Sequence, residues 1–370
     1  MFQKQSGSSC YSSGVNQGNN RASAALRRLL RSLDVEVDPP EGTRVQARIG
    51  GHPYVFDVRW AGEGFPQDVR HLIASPPLTG SRELPVVAAH RMSRGSIELL
   101  EARGLSWVDE RGHGRLSGTP GLLVAQGPSR SGTADRSGMA WTPSAGAVAE
   151  LLLGDAARRS SRPVTDVAAD RVVAAQAHVA ERLQISPAQV SKVLRRFDEN
   201  GWTHKQGPQR GAGASRVLAD PAALLSSWAG WQSRRRPPTV MAHTSWQDAR
   251  TFVVDQLVPR MPREAWHLTG WAAADARAPL ATTVPTISCY VDQFVFDELM
   301  DDLLDRIGAR RVETGARLVV LRSEPVVGAL AHVQDGVPIV GDVRLYADLL
   351  ALGVRGEDAA DELRERFLGY

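Results

Sequence analysis

The sequence predicts an α+β multidomain chain, on three observations. The hydrophobic pattern alternates with period two over residues 44–60 and switches to helical spacing over 172–200. A run rich in Gly, Ser and Pro (GPSRSGTADRSGMAWTP, 127–143) separates the two regimes. The length of 370 residues suits two or three cores. The expected order is a polar, disordered tail (1–22), a small α/β domain (23–126), the linker, a mainly helical block (144–232) and a mixed α/β domain (241–370).

In the first domain, Ser23–Leu33 carries Leu26, Leu29, Leu30 and Leu33 at the i, i+3, i+4, i+7 spacing of an amphipathic helix, stopped by Pro39–Pro40. Arg44–Ile49 and Tyr54–Trp60 alternate around Gly50–Gly51 and predict a hairpin. Leu84–Ala89 reads as a buried strand, and Ser93–Gly104 as a helix with a Ser N-cap and a terminal Gly. Leu105–Asp109 and Gly121–Gln126 read as two more strands.

The central block is more specific. Val172–Leu183 predicts one helix, Gln184–Ile185 a turn, and Ser186 an N-cap with Pro187 at the first position of the next helix. Over Pro187–Asn200 the side chains of Val190, Val193, Leu194 and Phe197 share one face at 100° per residue. Ala188, Lys192 and Arg195 point the other way, flanked by Gln189, Ser191 and Arg196. Gly201 is placed to end the helix. Thr203–Gln206 and Ser215–Ala219 then flank the Gly-rich GPQRGAGA loop (207–214), with Arg210 at its tip, and Asp220–Pro221 caps a return helix, Ala222–Trp231. Further on, helices are expected over Ser245–Leu257, Phe294–Ile307 and Glu357–Phe367, and strands over Ala316–Leu321 and Val326–Val333.

Charge is concentrated on the central block. Ser191–Arg216 holds six basic residues against Asp198 and Glu199, an excess of +4 in a chain whose formal net charge is +3. Residues 241–370 hold 13 Arg and 20 Asp or Glu, net −7, so the first 240 residues carry +10. The chain has three lysines, Lys4, Lys192 and Lys205, and the last two fall within this block. A small, polar and basic helix face suits the major groove, where Arg pairs with guanine and Gln with adenine. Lys192, Arg195 and Gln189 are therefore expected to read bases. Arg196, Lys205, Arg210 and Arg216 are expected to hold phosphates, and Ser186, Ala188 and Ser191 to complete the contact surface.

Other chemistry finds less support. Mean hydropathy is −0.24, no apolar run approaches the roughly 18 residues of a membrane helix, and the N-terminal MFQKQSGSSCYSSG has no apolar signal core, so a cytoplasmic protein without a membrane role is expected. Cys10 and Cys289 form neither a disulfide framework nor a zinc pattern. The acidic Asp297, Glu298, Asp301, Asp302 and Asp305 read as a solvated helix face for a partner, not a metal site, and the nine tryptophans as core. His52, His71, His90 and His113 match no ligand spacing, so no cofactor or metal is expected.

The stretch AERLQISPAQVSKVLRRFDENGW, with its hairpin, resembles a MarR-like winged helix-turn-helix over roughly 144–231. With the N-terminal α/β domain and the tail GDVRLYADLLALGVRGEDAADELRERFL, the arrangement resembles the AbiEi-family antitoxins of type IV toxin–antitoxin systems. That resemblance implies operator binding, repression of the chain's own operon, and an antitoxin role for the C-terminal domain with a toxin as partner. The N-terminal hairpin, strand and helix, followed by WVDERGHGRL, resemble a restriction-endonuclease-like core. Such a site needs carboxylates for Mg²⁺ and a lysine. Asp57 could supply one carboxylate, but Arg59 stands at the lysine offset and no lysine lies between residues 5 and 191. Arg cannot deprotonate to act as a base, so the nuclease-like site reads as degenerate and the chain as no enzyme.

The expected function is sequence-specific double-stranded DNA binding by a transcriptional regulator, as a homodimer, since one such module reads too short a site. The alternative is a DNA-maintenance protein of a mobile element, a replication initiator or telomere-associated binder, using the same helix.

Overall fold

The structure is a computed structural model. It describes residues 9–39, 43–74, 83–118, 122–126, 139–160, 173–206, 215–262, 264–278 and 284–370. The chain forms two compact units, Met1–Thr133 with Tyr370, and Ala134–Gly369. Both mix helices with sheet, in keeping with an α+β multidomain chain.

In the first unit the order is α1 (Ser9–Arg31), β1 (Glu36–Val37), β2 (Arg44–Ile49), β3 (His52–Trp60), α2 (Pro66–Ala74), β4 (Leu84–Ala89), α3 (Arg94–Glu101), β5 (Ser106–Asp109), β6 (Gly114–Gly118) and β7 (Leu122–Gln126). The strands lie side by side in chain order. Strands β3, β4 and β5 run parallel, with α2 and α3 in the crossovers, and the flanking pairs are antiparallel. Leu26, Leu29 and Leu30 of α1 bury completely against Phe56, Val58, Val86 and Ala88. The alternate β4 residues Val87 and Ala89 pack with Val69 and Leu100 of α2 and α3. Strand β4 is covered on both faces, which is why it reads as an unbroken apolar run.

Helix α1 departs from expectation at both ends. It begins at Ser9, inside the tail expected to be disordered, and stops at Arg31, leaving Leu33 exposed. The polar turn just ahead of Ser23 gains tertiary anchors invisible to a hydrophobic pattern: Ala22 is buried, and Arg21 donates to Glu110 at 3.1 and 2.9 Å.

The second unit opens with α4 (Pro143–Ser160), α5 (Gln176–Leu183), α6 (Pro187–Glu199), the hairpin β8 (Thr203–Gln206) and β9 (Ser215–Leu218), and α7 (Pro221–Gln232). There follow β10 (Thr239–His243), α8 (Ala249–Phe252), a π-helical turn (Val253–Leu257), α9 (Val258–Arg260), β11 (Trp266–Thr269), α10 (Gly270–Arg277) and β12 (Ile287–Val291). Next come α11 (Gln293–Glu298), α12 (Met300–Arg306), β13 (Arg310–Arg311), β14 (Leu318–Arg322), α13 (Pro325–Leu330), β15 (His332–Gln334) and β16 (Val337–Ile339). Helices α14 (Asp342–Leu350) and α15 (Val354–Leu363) and a π-helical Arg364–Leu368 close the chain.

Strands β10 to β16 make one mixed sheet in the order β13-β10-β14-β12-β11-β16-β15. Residues 326–333, expected as a strand, are instead α13 followed by β15. Val326, Val327 and Leu330 bury at helical spacing and Pro325 sits in the first turn, so burial of this short apolar run chooses the helix. The tail motif folds as α14, α15 and the closing π-helical turn. Asp348 accepts from Thr269 Oγ1 (2.6 Å) and Tyr290 OH (3.1 Å), pinning α14 to β11 and β12. A Cβ on Gly356 would collide with the Leu349 carbonyl oxygen, so α15 approaches α14 closely only through glycine.

Candidate nucleic-acid interface

Local chemistry sets the two helices α5 and α6. Gln184 adopts the left-handed conformation (φ 53°), and the amides of Gln184 and Ile185 bond back to the carbonyls of Glu181 and Ala180. The chain thereby turns out of α5 within two residues. Ser186 Oγ accepts from the Gln189 amide at 3.2 Å, with Pro187 in the first turn, as the sequence predicts. At the far end, Gly201 (φ 74°) lets the Gly201 amide reach the Asp198 carbonyl and the Trp202 amide reach that of Phe197, the paired bonds of a Schellman stop.

The two faces of α6 separate as expected. Val190, Val193, Leu194 and Phe197 are buried. Ser186, Ala188, Gln189, Lys192 and Arg195 are exposed, while Ser191 and Arg196 are half-buried. Lys192 and Arg195 have no charged partner among the described residues. Gln189 Nε2 donates to Ser144 Oγ (3.2 Å) and Arg196 Nη1 to the Ala140 carbonyl (3.2 Å), so both are positioned against the start of α4.

An aromatic stack fixes the apolar face. Trp141, in the expected linker, stacks on Trp202 and Trp231 at centroid distances of 5.8 and 5.6 Å, and the Phe197 ring stands edge-on to Trp202 at 5.6 Å. Offset stacking of this kind adds orientation to apolar burial. Sequence reasoning places the tryptophans in cores but does not join these three, which lie up to 90 residues apart.

The hairpin divides the remaining predicted contacts. Lys205 on β8 is exposed, and Arg216 stands opposite it in register. Arg216 does not present itself to a phosphate. Its side chain is 9% exposed, and Nε and Nη2 bind both oxygens of Asp198 at 3.1 and 2.8 Å. Asp198 also accepts from Thr203 Oγ1 at 2.6 Å, so Arg216 ties the hairpin to α6. The expectation failed because a charge count cannot tell an inward guanidinium from an outward one. Arg210 lies outside the described residues.

Elsewhere, Asp57 and Arg59 project from the same face of β3 and pair with each other at 3.0 Å. At the C-terminal ends of the parallel strands, His90 Nδ1 lies 2.8 Å from Glu110, which Arg21 also binds. Burial alone would raise the Glu110 carboxyl, but the hydrogen bonds from His90 and Arg21 outweigh it and hold it at about 2. Cys289 on β12 is buried, which pushes its thiol up to about 12, far from the thiolate a nucleophile needs. Asp297, Glu298, Asp301, Asp302 and Asp305 are exposed on α11 and α12. Among the described residues no group of three or more His, Cys, Asp or Glu could hold a metal ion, and no helix is long and apolar enough to cross a membrane.

No family model matches the chain, and neither a curated protein nor a solved structure matches it.

Proposed function

We propose that this chain is a cytoplasmic, sequence-specific double-stranded DNA-binding transcriptional regulator acting as a homodimer through a winged helix-turn-helix built by α4–α7, β8 and β9. One observation carries the reading: α6 buries four apolar side chains on one face and exposes Gln189, Lys192 and Arg195 on the other, with the two cations left without a charged partner among the described residues. A cation with no internal partner on a capped, rigid helix is available to a base edge or a phosphate. Lys205 on the hairpin extends the positive surface.

In this reading the nuclease-like first unit is a non-catalytic scaffold, because the Asp57 carboxylate faces Arg59 and not a lysine. The exposed acidic face of α11 and α12 supports a protein partner at the C-terminal region, consistent with an antitoxin of a type IV toxin–antitoxin system.

The test is recovery of the bound DNA from cells, followed by gel-shift titration of that site. Arg195→Ala is expected to weaken it by about 1–3 kcal/mol and to relax preference at one base position. An unchanged affinity and an unchanged preference would remove Arg195 from the reading set.

A further inference from the structure

A cavity of about 220 Å³ lies within the second unit between α4, α13 and the start of α14. It is far larger than the roughly 10–15 Å³ that admits a single water. Its polar lining consists of Arg158, Arg277, His332 and Asp342. Two guanidinium groups against one carboxylate leave the cavity positive, which disfavours a metal ion or an organic cation. The same four charged or polar side chains disfavour a purely apolar occupant.

Each cationic group is held in place with donors to spare. Arg277 binds both oxygens of Asp342 through Nε (2.9 Å) and Nη2 (3.2 Å), which leaves Nη1 outside the pair. The Phe367 ring covers the Arg277 guanidinium at 3.9 Å and fixes its plane. Arg158 uses Nη2 on the Leu330 carbonyl, leaving Nε and Nη1 without a partner among the described residues. Among the described residues no side chain caps α14, so the first-turn amides at the cavity add to the same positive potential. His332 borders the same cavity. Its Nε2 is buried and has no hydrogen-bond partner among the described residues.

We propose that this cavity binds a small molecule carrying a terminal oxyanion, held by Arg158, Arg277 and the first turn of α14, with the His332 ring beside it. A guanidinium suits carboxylate and phosphoryl oxygens alike, so the head group is one of these two. Burial lowers the His332 imidazole from its ordinary value, and an anion seated beside it raises it again. This site does not depend on the DNA-binding reading, and its test contains no DNA.

Succinate and inorganic phosphate serve as the two probes, titrated into the full chain by calorimetry with the His332 ring followed by NMR. The expected result is saturable binding of at least one probe in the millimolar range or tighter, with the His332 titration midpoint moving upward. Arg158→Gln is expected to weaken binding about tenfold or more. Succinate binding alone identifies a carboxylate head group, and phosphate binding alone a phosphoryl one. Absence of binding by both probes in that range overturns the proposal. So does a folded Arg158→Gln protein, checked by circular dichroism, that binds as tightly as the parent.

Discussion

Glu150 of α4 and Arg344 of α14 form a two-pronged ion pair from which water is excluded. Arg344 Nε donates to Glu150 Oε1 at 3.0 Å and Nη2 to Oε2, and the glutamate and arginine side chains are 0% and 3% exposed. Burial resists both charges, so the pair holds only while both members are present. Glu150→Ala should therefore cost about 3–5 kcal/mol, because it leaves the buried guanidinium only the longer contact to Glu324 (3.5 Å), whereas Glu150→Leu with Arg344→Met should cost much less. Guanidinium-induced unfolding of the single and double variants checks this. A double variant as unstable as Glu150→Ala would mean that packing, not charge, holds α4 on α14.

Arg216 closes the hairpin on α6 through Asp198, so its loss should be felt in stability before it is felt in DNA contact. A double-mutant cycle on Asp198 and Arg216 is expected to return a coupling of about 1–3 kcal/mol. The salt dependence of DNA binding by folded Arg216→Ala should match the parent, because a guanidinium committed to a carboxylate releases no counterion.

Lys205 gives the opposite expectation. It is exposed on the hairpin, and Lys205→Ala should weaken binding to specific and unrelated duplexes alike. The slope of log affinity against log salt should fall by about 0.9, the share of one phosphate contact. Fluorescence anisotropy across a salt series measures both. A parallel slope would place Lys205 away from the backbone.

Glu110 sets an acid limit on the first unit. Its folded carboxyl sits near 2, below the ordinary 4.5, so its stabilisation is fully present above about pH 4.5. It is lost as pH falls from there towards 2, by about 3 kcal/mol in all. Glu110→Gln should flatten that limb and leave the remaining pH dependence in place. Urea unfolding at pH 3 and pH 6, read by hydrogen exchange of the β4 and β5 amides, tests it.

The features legible without coordinates are mostly local. Ser186, Pro187 and Gly201 declare the ends of α6 because caps depend on backbone groups within a few residues. The spacing of Val190, Val193, Leu194 and Phe197 declares its buried face. The leucines of α1 and the apolar run of β4 are legible for the same reason. The α13 segment is not, because a six-residue apolar run fits strand and helix equally, and only its neighbours choose. The stack of Trp141 on Trp202 and Trp231 gives no signal, since it joins residues separated by 61 and 90 positions along the chain.

The sequence alone therefore determined where most helices and hairpins begin and end, which face of α6 turns inward, and that no lysine accompanies Asp57. Tertiary structure decided the direction of each arginine. Arg216 turns in to Asp198, Arg344 is buried on Glu150, Arg158 and Arg277 border a cavity, and Arg195 stays outside. The physical reason is that a guanidinium on a long, flexible stem takes its partner from whatever carboxylate or carbonyl the fold brings within reach, and that partner is rarely a neighbour in the chain.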